Sequence, residues 1–488
     1  MSRVVYKCYS FSLMIRHLLL ISCLLLTPAT AFDQQTELPE FGEANAVSLN
    51  QEYYLGRAWL MSFRRQAPIL DDALLQDYVE ELVFRLVVTS QLKERRLEVV
   101  LVENKSINAF AVPGGIVGVH NGLILQAETE AQLASVLAHE LAHLSQRHFS
   151  RGVENQKKSS AASMAGLLGG LVLIAGGSSD AGIAAVMGGQ AAAMDSQLRY
   201  SRLHEQEADR VGMQNQAAAG LDPGGAAGMF TVMQNESRNY GARPPEFLLT
   251  HPLTETRIAD ARNRARTYPS RIYEDNAEFQ LMRARVEFSF IKEPDEAVAH
   301  FRRKRDKGGK QAVAAQYGLI LALTQNGGYD EARALLKPMR EFAPSNMVYG
   351  IADADIDIEE GKFDVAIAKL KKGLQLVPGN HPITMYLAKA YDRAGYYTDA
   401  ATLLAKHSRS KPSDAHLWYE LAEVQGQAGD ILGLHQSRAE YFRLNGALKK
   451  GLEQLNLALP LAKDNVTRER IQNRMQHFHN IQVALKQL

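Results

Sequence analysis

The stretch from Val136 to His148 reads VLAHELAHLSQRH. His139 and His143 are four residues apart, so on a helix they share one face, one turn and roughly 6 Å from each other. That separation suits two imidazole nitrogens meeting one Zn²⁺ at about 2.0–2.1 Å each. Glu140 then lies beside the ion, where a water would sit. A carboxylate there can take the water's proton and pass it to a leaving amine. Leu137, Leu141 and Leu144 supply the apolar face that fixes the helix. Read alone, the same pattern also describes a buried helix face with incidental polar residues, so further ligands decide the matter.

Catalytic zinc needs a third protein ligand and an open fourth position. Both cysteines, Cys8 and Cys23, fall in a segment that reads as secretory: Arg3, Lys7 and Arg16, an apolar run from Leu18 to Leu26, then Ala29-Thr30-Ala31 as a cleavage pattern. A mature chain starting at Phe32 has no thiol, hence no disulfide, thiolate ligand or cysteine nucleophile. The third ligand must be histidine or carboxylate. Downstream, HEQEAD supplies Glu205, Glu207 and Asp209. Glu205 and Asp209 share a helical face, so Glu205 can bind metal while Asp209 reaches a histidine N–H. A solvated acidic helix, with Arg202 and Arg210 as partners, is the bland alternative; beside the histidine pair it loses.

The elements that must position these groups are mostly helical. Apolar residues recur at helical spacing between about Leu38 and Leu97. Residues 97–103 read as a strand. Residues 109–124 read as two strand-like runs around Pro113-Gly114-Gly115. Thr129 and Gln132 form a capping box before the metal helix. Residues 161–194 are rich in Ala and Gly and nearly uncharged, too short and interrupted for a membrane span. They read as a packed helical hairpin, with a mobile flap or a peripheral membrane contact as the alternative. The chain of 488 residues is 46% hydrophobic and 22% charged, as a globular protein is, with net charge +1. Without residues 1–31 it has two more acids than bases, which leaves no electrostatic case for nucleic acid.

Beyond Tyr268 the chain repeats. Gly327, Gly361, Gly395 and Gly429 are 34 residues apart, as are Ala332, Ala366 and Ala400, and Pro344, Pro378 and Pro412. That period is the tetratricopeptide one: helix–turn–helix units stacked into a solenoid that binds partners rather than doing chemistry. Three units are clear, at 313–346, 347–380 and 381–414, and a fourth at 415–448 lacks the terminal proline.

HELAH with EQEAD resembles the HtpX-like and prenyl-protease-related zinc endopeptidases. NAFAVPGG (108–115) and THP (250–252) followed by RIADAR resemble the same family's pattern. The resemblance covers about 108–263; with a secretory segment and repeats, the whole chain resembles the periplasmic, repeat-bearing members. It implies one Zn²⁺ per chain on His139, His143 and Glu205, with Glu140 as general base and Asp209 as a supporting or proton-donating acid. It implies that His251 approaches the metal as a fourth, inhibitory ligand. It also implies substrate bound as an added strand at a sheet edge near Asn108 and Phe110, through main-chain hydrogen bonds.

The expected architecture is mainly α: a zincin-type metalloprotease domain with a small β-sheet (32–268), after a signal peptide (1–31), then a tetratricopeptide α-solenoid (269–488). The expected activity is periplasmic zinc endopeptidase, with chaperone-like promotion of outer-membrane β-barrel assembly and removal of misfolded or stalled barrels. The expected partners are those barrels and their assembly machinery, met through the repeats. The rival expectation is a binding factor that works through its repeats with little proteolysis.

Overall fold

The computed structural model describes residues 48–155, 191–239, 245–269, 271–274 and 276–487. The secretory segment and the Ala/Gly-rich stretch up to residue 190 lie outside the described residues. No described helix is long and apolar enough to cross a membrane.

Two helices come first, α1 (Leu49–Arg64) and α2 (Ala73–Thr89). Ser48 caps α1 in a full capping box, and Asp72 caps α2 by accepting from the Leu74 and Leu75 N–H groups. Three strands follow, β1 (Glu98–Val102), β2 (Ala109–Val112) and β3 (Ile116–His120), in the order β1-β3-β2. β1 runs parallel to β3 and β2 antiparallel to it. The β2–β3 turn needs its glycines: Gly114 and Gly115 have φ of 84° and 81°, and a Cβ on Gly114 would lie 2.4 Å from the Glu52 carbonyl. β3 is buried along its whole length, so β2 is left as an edge.

After α3 (Asn121–Gln126) comes α4 (Glu130–Ser145), which carries His139, Glu140 and His143. Thr129 accepts from the Gln132 N–H, as expected of a cap. The Gln132 side chain, however, accepts from the Glu128 N–H one residue earlier, so the reciprocal half of the box is displaced. α5 (His148–Asn155), α6 (Ala191–Ala218), α7 (Gly225–Asn239), α8 (Glu246–Thr250) and α9 (Glu255–Ala265) complete this part.

Helices Ala277–Ser289 and Pro294–Asp306 lead into the repeats, whose first helices are Ala312–Gln325, Met347–Glu359, His381–Arg393 and Ala415–Gln427. The second helices, Tyr329–Phe342, Phe363–Leu376, Tyr397–His407 and Ile431–Leu444, follow each turn. The four periodic glycines end the first helices with φ between 77° and 85°. Ala332, Ala366 and Ala400 are fully buried, as are Ala354 and, nearly, Ala422, where neighbouring helices touch.

The repeats do not hang free. One apolar cluster runs from Leu74 on α2 to Val424 in the fourth repeat. At its edge Arg285 donates to Asp72 (2.6 Å) and to the hydroxyls of Tyr386 (2.8 Å) and Tyr317 (3.3 Å). Arg64 donates to the Ser413 carbonyl and Lys411 pairs with Glu80 at 2.5 Å. Tyr317 and Tyr386 sit on the first helices of two repeats, so these two helices face Arg285 and the cap of α2.

The periodic glycines have empty space around the position a Cβ would take, so only their backbone conformation demands glycine. Gly395→Ala is expected to cost about 1–2 kcal/mol in denaturant unfolding. An unchanged or higher midpoint would show that this turn does not need the left-handed conformation.

Candidate metal centre

Leu133, Leu137 and Leu141 are fully buried and hold α4 against the core. His139 and His143 leave its adjoining face. α6 reaches that face because both helices are small where they cross. A Cβ on Gly212 would lie 3.0 Å from the His139 backbone nitrogen and 3.1 Å from the Ala138 carbonyl oxygen. Glycine therefore permits the approach. One and two turns earlier on α6, Asp209 and Glu205 arrive beside the histidines. His251 comes from the end of α8: its N–H donates to the Phe247 carbonyl, and its ring stacks on that of Phe247 at 4.6 Å. Phe247 is itself buried and hydrogen-bonded through its N–H to the Ile107 carbonyl.

Ligand atoms of His139, His143, Glu205 and His251 all lie within 4.8 Å of one another. The two Nε2 atoms of His139 and His143 are 3.0 Å apart. Each is 3.4 Å from a Glu205 oxygen. The His251 Nδ1 lies 3.3 Å from His139 Nε2 and 3.0 Å from Glu205 Oε1. Four ligands at about 2.0–2.1 Å from one tetrahedral ion would be separated by about 3.3 Å. The donor set and its spacing fit a metal ion with no rearrangement of the two α4 histidines. The sequence-derived residues His139, Glu140, His143, Glu205, Asp209 and His251 are all brought together here.

Burial of two carboxylates has to be compensated. Asp209 Oδ1 lies 3.0 Å from His139 Nδ1, and both its oxygens accept from Arg257, at 2.6 and 2.7 Å. Arg257 Nη1 also lies 3.0 Å from Glu205 Oε2 and donates to the Pro252 carbonyl. Burial works to raise both acids, yet His251, His139 and His143 hold Glu205 well below the usual carboxylate range. Arg257 and His139 likewise hold Asp209 down. Burial pushes His143 down to about 3, so its ring is neutral and ready to ligate. His139 behaves oppositely: burial opposes its charge, but Asp209 and Glu205 prevail and hold it up to about 10. Arg257 received no role from the sequence. It is the buried guanidinium of α9, and only its position in RIADAR, six residues beyond His251, marked it.

Glu140 is buried, and its Oε1 makes no hydrogen bond among the described residues, with His251 Nε2 3.5 Å away. Burial raises its carboxyl above the usual range, against the backbone of Ala111, which hydrogen-bonds to it. A cleft of about 180 Å³ opens here, lined by Ala111, Pro113, Glu140, His143, Arg147 and His251 among others. The edge strand β2 thus forms one wall. Phe110 turns its ring away, over Gly118 and against Trp59 and Phe63 at 5.6 and 5.4 Å. Asn108 is buried and donates to Glu246 at 3.5 Å, which also accepts from Ser106. Asn108 and Phe110 both line the cleft while these contacts brace them.

The profile of Peptidase family M48 matches residues 73–265, and that of the tetratricopeptide repeat matches 357–424. The chain is 33% identical over 465 residues to the Beta-barrel assembly-enhancing protease of Escherichia coli, covering 94% of this chain and 95% of the relative. It is 34% identical over 430 residues to a Putative beta-barrel assembly-enhancing protease of Vibrio cholerae, covering 87% and 88%. The Mitochondrial metalloendopeptidase OMA1 of Schizosaccharomyces pombe is 29% identical over 185 residues, 37% of this chain and 50% of the relative.

At neutral pH the metal-free site keeps a proton on His139. An ion on its Nε2 must expel that proton, so affinity is expected to strengthen as pH rises from about 6 to 8, with about one proton released per ion. Calorimetry of the apoprotein in two buffers of different ionisation enthalpy checks this. Equal heats in both would refute it.

Proposed function

On the premise that this chain belongs to Peptidase family M48 and is a metalloendopeptidase, we infer that its ion is one Zn²⁺ held by His139, His143 and Glu205. The observation that carries the reading is the convergence of these donors beside a buried Glu140 oxygen that makes no hydrogen bond. An all-His/carboxylate set suits zinc hydrolysis. Bound zinc supplies Lewis-acid polarisation of a carbonyl and makes a water acidic enough to ionise near neutral pH. Glu140 accepts the attacking water's proton and delivers it to the leaving amine. Burial makes it a stronger base than a solvated carboxylate. Asp209, clamped and ionised by Arg257, orients His139 through Nδ1 and supports rather than donates a proton. The backbone of β2 at Ala109–Val112 takes an extended substrate as an added strand, which gives affinity with little side-chain preference.

His251 would hold the same ion as a fourth ligand at rest, in place of the attacking water, and would have to withdraw for hydrolysis. The relatives' name supports a protease role in β-barrel assembly; the reading extends this to a periplasmic protease that promotes assembly of outer-membrane β-barrel proteins and removes misfolded or stalled ones, keeping the outer membrane intact. Client barrels and assembly machinery meet the repeats on the surfaces left free by their packing on α1 and α2. The resting His251 contact also favours a second reading, assembly by binding with little proteolysis.

Glu140→Gln is expected to lower cleavage of an unfolded protein such as casein by about 100-fold or more, with zinc retained. An unchanged rate would remove Glu140 as the base, and a binding-dependent assembly function that survives the change would favour the second reading. His251→Ala is expected to raise cleavage severalfold at equal zinc content. Equal or lower cleavage would show that His251 does not restrain the enzyme.

A further inference from the structure

α4 ends at Ser145, and α5 starts only three residues later at His148. Between them Arg147 adopts φ 52°, the only positive φ at a non-glycine among the described residues. Side chains disfavour that conformation, so something must enforce it. The enforcing group is the buried Glu52 on α1. Its Oε1 accepts from Arg147 Nη2 at 2.9 Å and from Arg147 Nε at 3.2 Å, and from Ser150 on α5. The bend turns the chain back on itself and lays the buried ring of His148 against the ring of His143, edge to face.

The contact is polar and has a defined direction. His148 Nδ1 lies 2.9 Å from His143 Nδ1. A His143 that gives Nε2 to a metal must carry its proton on Nδ1. That N–H donates to His148 Nδ1, which leaves the His148 proton on Nε2. His148 Nε2 lies 3.2 Å from Glu207 Oε2, which accepts it. Glu207 also accepts from Arg151 Nη1 at 2.9 Å. Stacking on His204, with ring centroids 4.1 Å apart and 8° between planes, holds the His148 ring in this orientation. Each ring in the chain thus has one tautomer that satisfies every contact.

We propose that His148 is a positioning residue for the metal centre, relaying the Nδ1–H of His143 to the Glu207–Arg151 pair and so fixing His143's tautomer and ring angle. The two α4 histidines are then oriented by different means. His139 donates directly to a carboxylate, whereas His143 donates through a second imidazole to a carboxylate nearer the surface. The proposal rests on the metal reading above.

The test is zinc affinity of the full-length apoprotein, measured by competition with a chromogenic chelator, so it does not depend on activity. His148→Phe keeps the ring and its stacking but removes both nitrogens. It is expected to weaken zinc binding about 10- to 100-fold, with the apoprotein's melting temperature close to wild type. His148→Asn, which keeps one acceptor and one donor, is expected to recover part of that loss. Glu207→Ala changes only a partly exposed end of the relay and is expected to weaken binding severalfold; it decides the matter if His148→Phe does not fold. Wild-type affinity in a folded His148→Phe, or in Glu207→Ala where the phenylalanine variant fails, would overturn the relay. A wild-type apoprotein that takes up no zinc would overturn the metal reading itself, and the relay with it. The two failures are therefore distinguishable.

Discussion

Everything at the centre depends on two acids being buried beside two histidines. Glu205 and Asp209 lie on one helix, and they reach α4 only because Gly212 lets the backbones come within contact of each other. Two buried carboxylates would be costly alone. Arg257 supplies one positive charge, bridging both acids. In the metal-free site the proton on His139 supplies the other. Burial, acting without a guanidinium partner, raises the Glu140 carboxyl beside this balanced group.

The surroundings restrict access to this centre from each side. α8 delivers His251, braced by the Phe247 ring, to Glu205 and His139 and within 3.5 Å of Glu140. β2 and the preceding Asn108 wall the cleft, with Phe110 braced by the apolar cluster and Asn108 by Glu246. The bend at Arg147 sets His148 behind His143. The groups around the centre therefore come from separate elements: α4, α6, α8, β2 and the bend that Glu52 of α1 holds.

The repeats join this arrangement as a structural part. Arg285 connects the cap of α2 to the first helices of two repeats, through Asp72, Tyr317 and Tyr386. An arginine so buried is held charged well above its ordinary range, chiefly by Asp72 against the pull of burial. Losing one partner would strand a charge in the interior. The solenoid and the part that holds the metal centre share one apolar core, and α2, to which Arg285 ties the repeats, packs on α4.

Features legible in the chain alone were those written within one helix or one turn. The histidine pair, the Glu205–Asp209 face, the β2–β3 turn and the 34-residue glycine period depend on spacings of a few residues or on a backbone conformation glycine alone adopts easily. The helical fold class followed from the same local periodicities. Arg257 carried no local signal, because its role comes from a partner 48 residues away in the chain. His148 sat in plain view beside the metal motif, but a continued helix would have pointed it elsewhere; only the bend enforced by Glu52 on α1 aims it at His143. The meeting of His139 and His251, 112 residues apart, and the packing of the repeats on α1 and α2 were decided by tertiary structure. Such contacts follow from which helices pack and how closely, and packing is a property of the whole core rather than of any one segment.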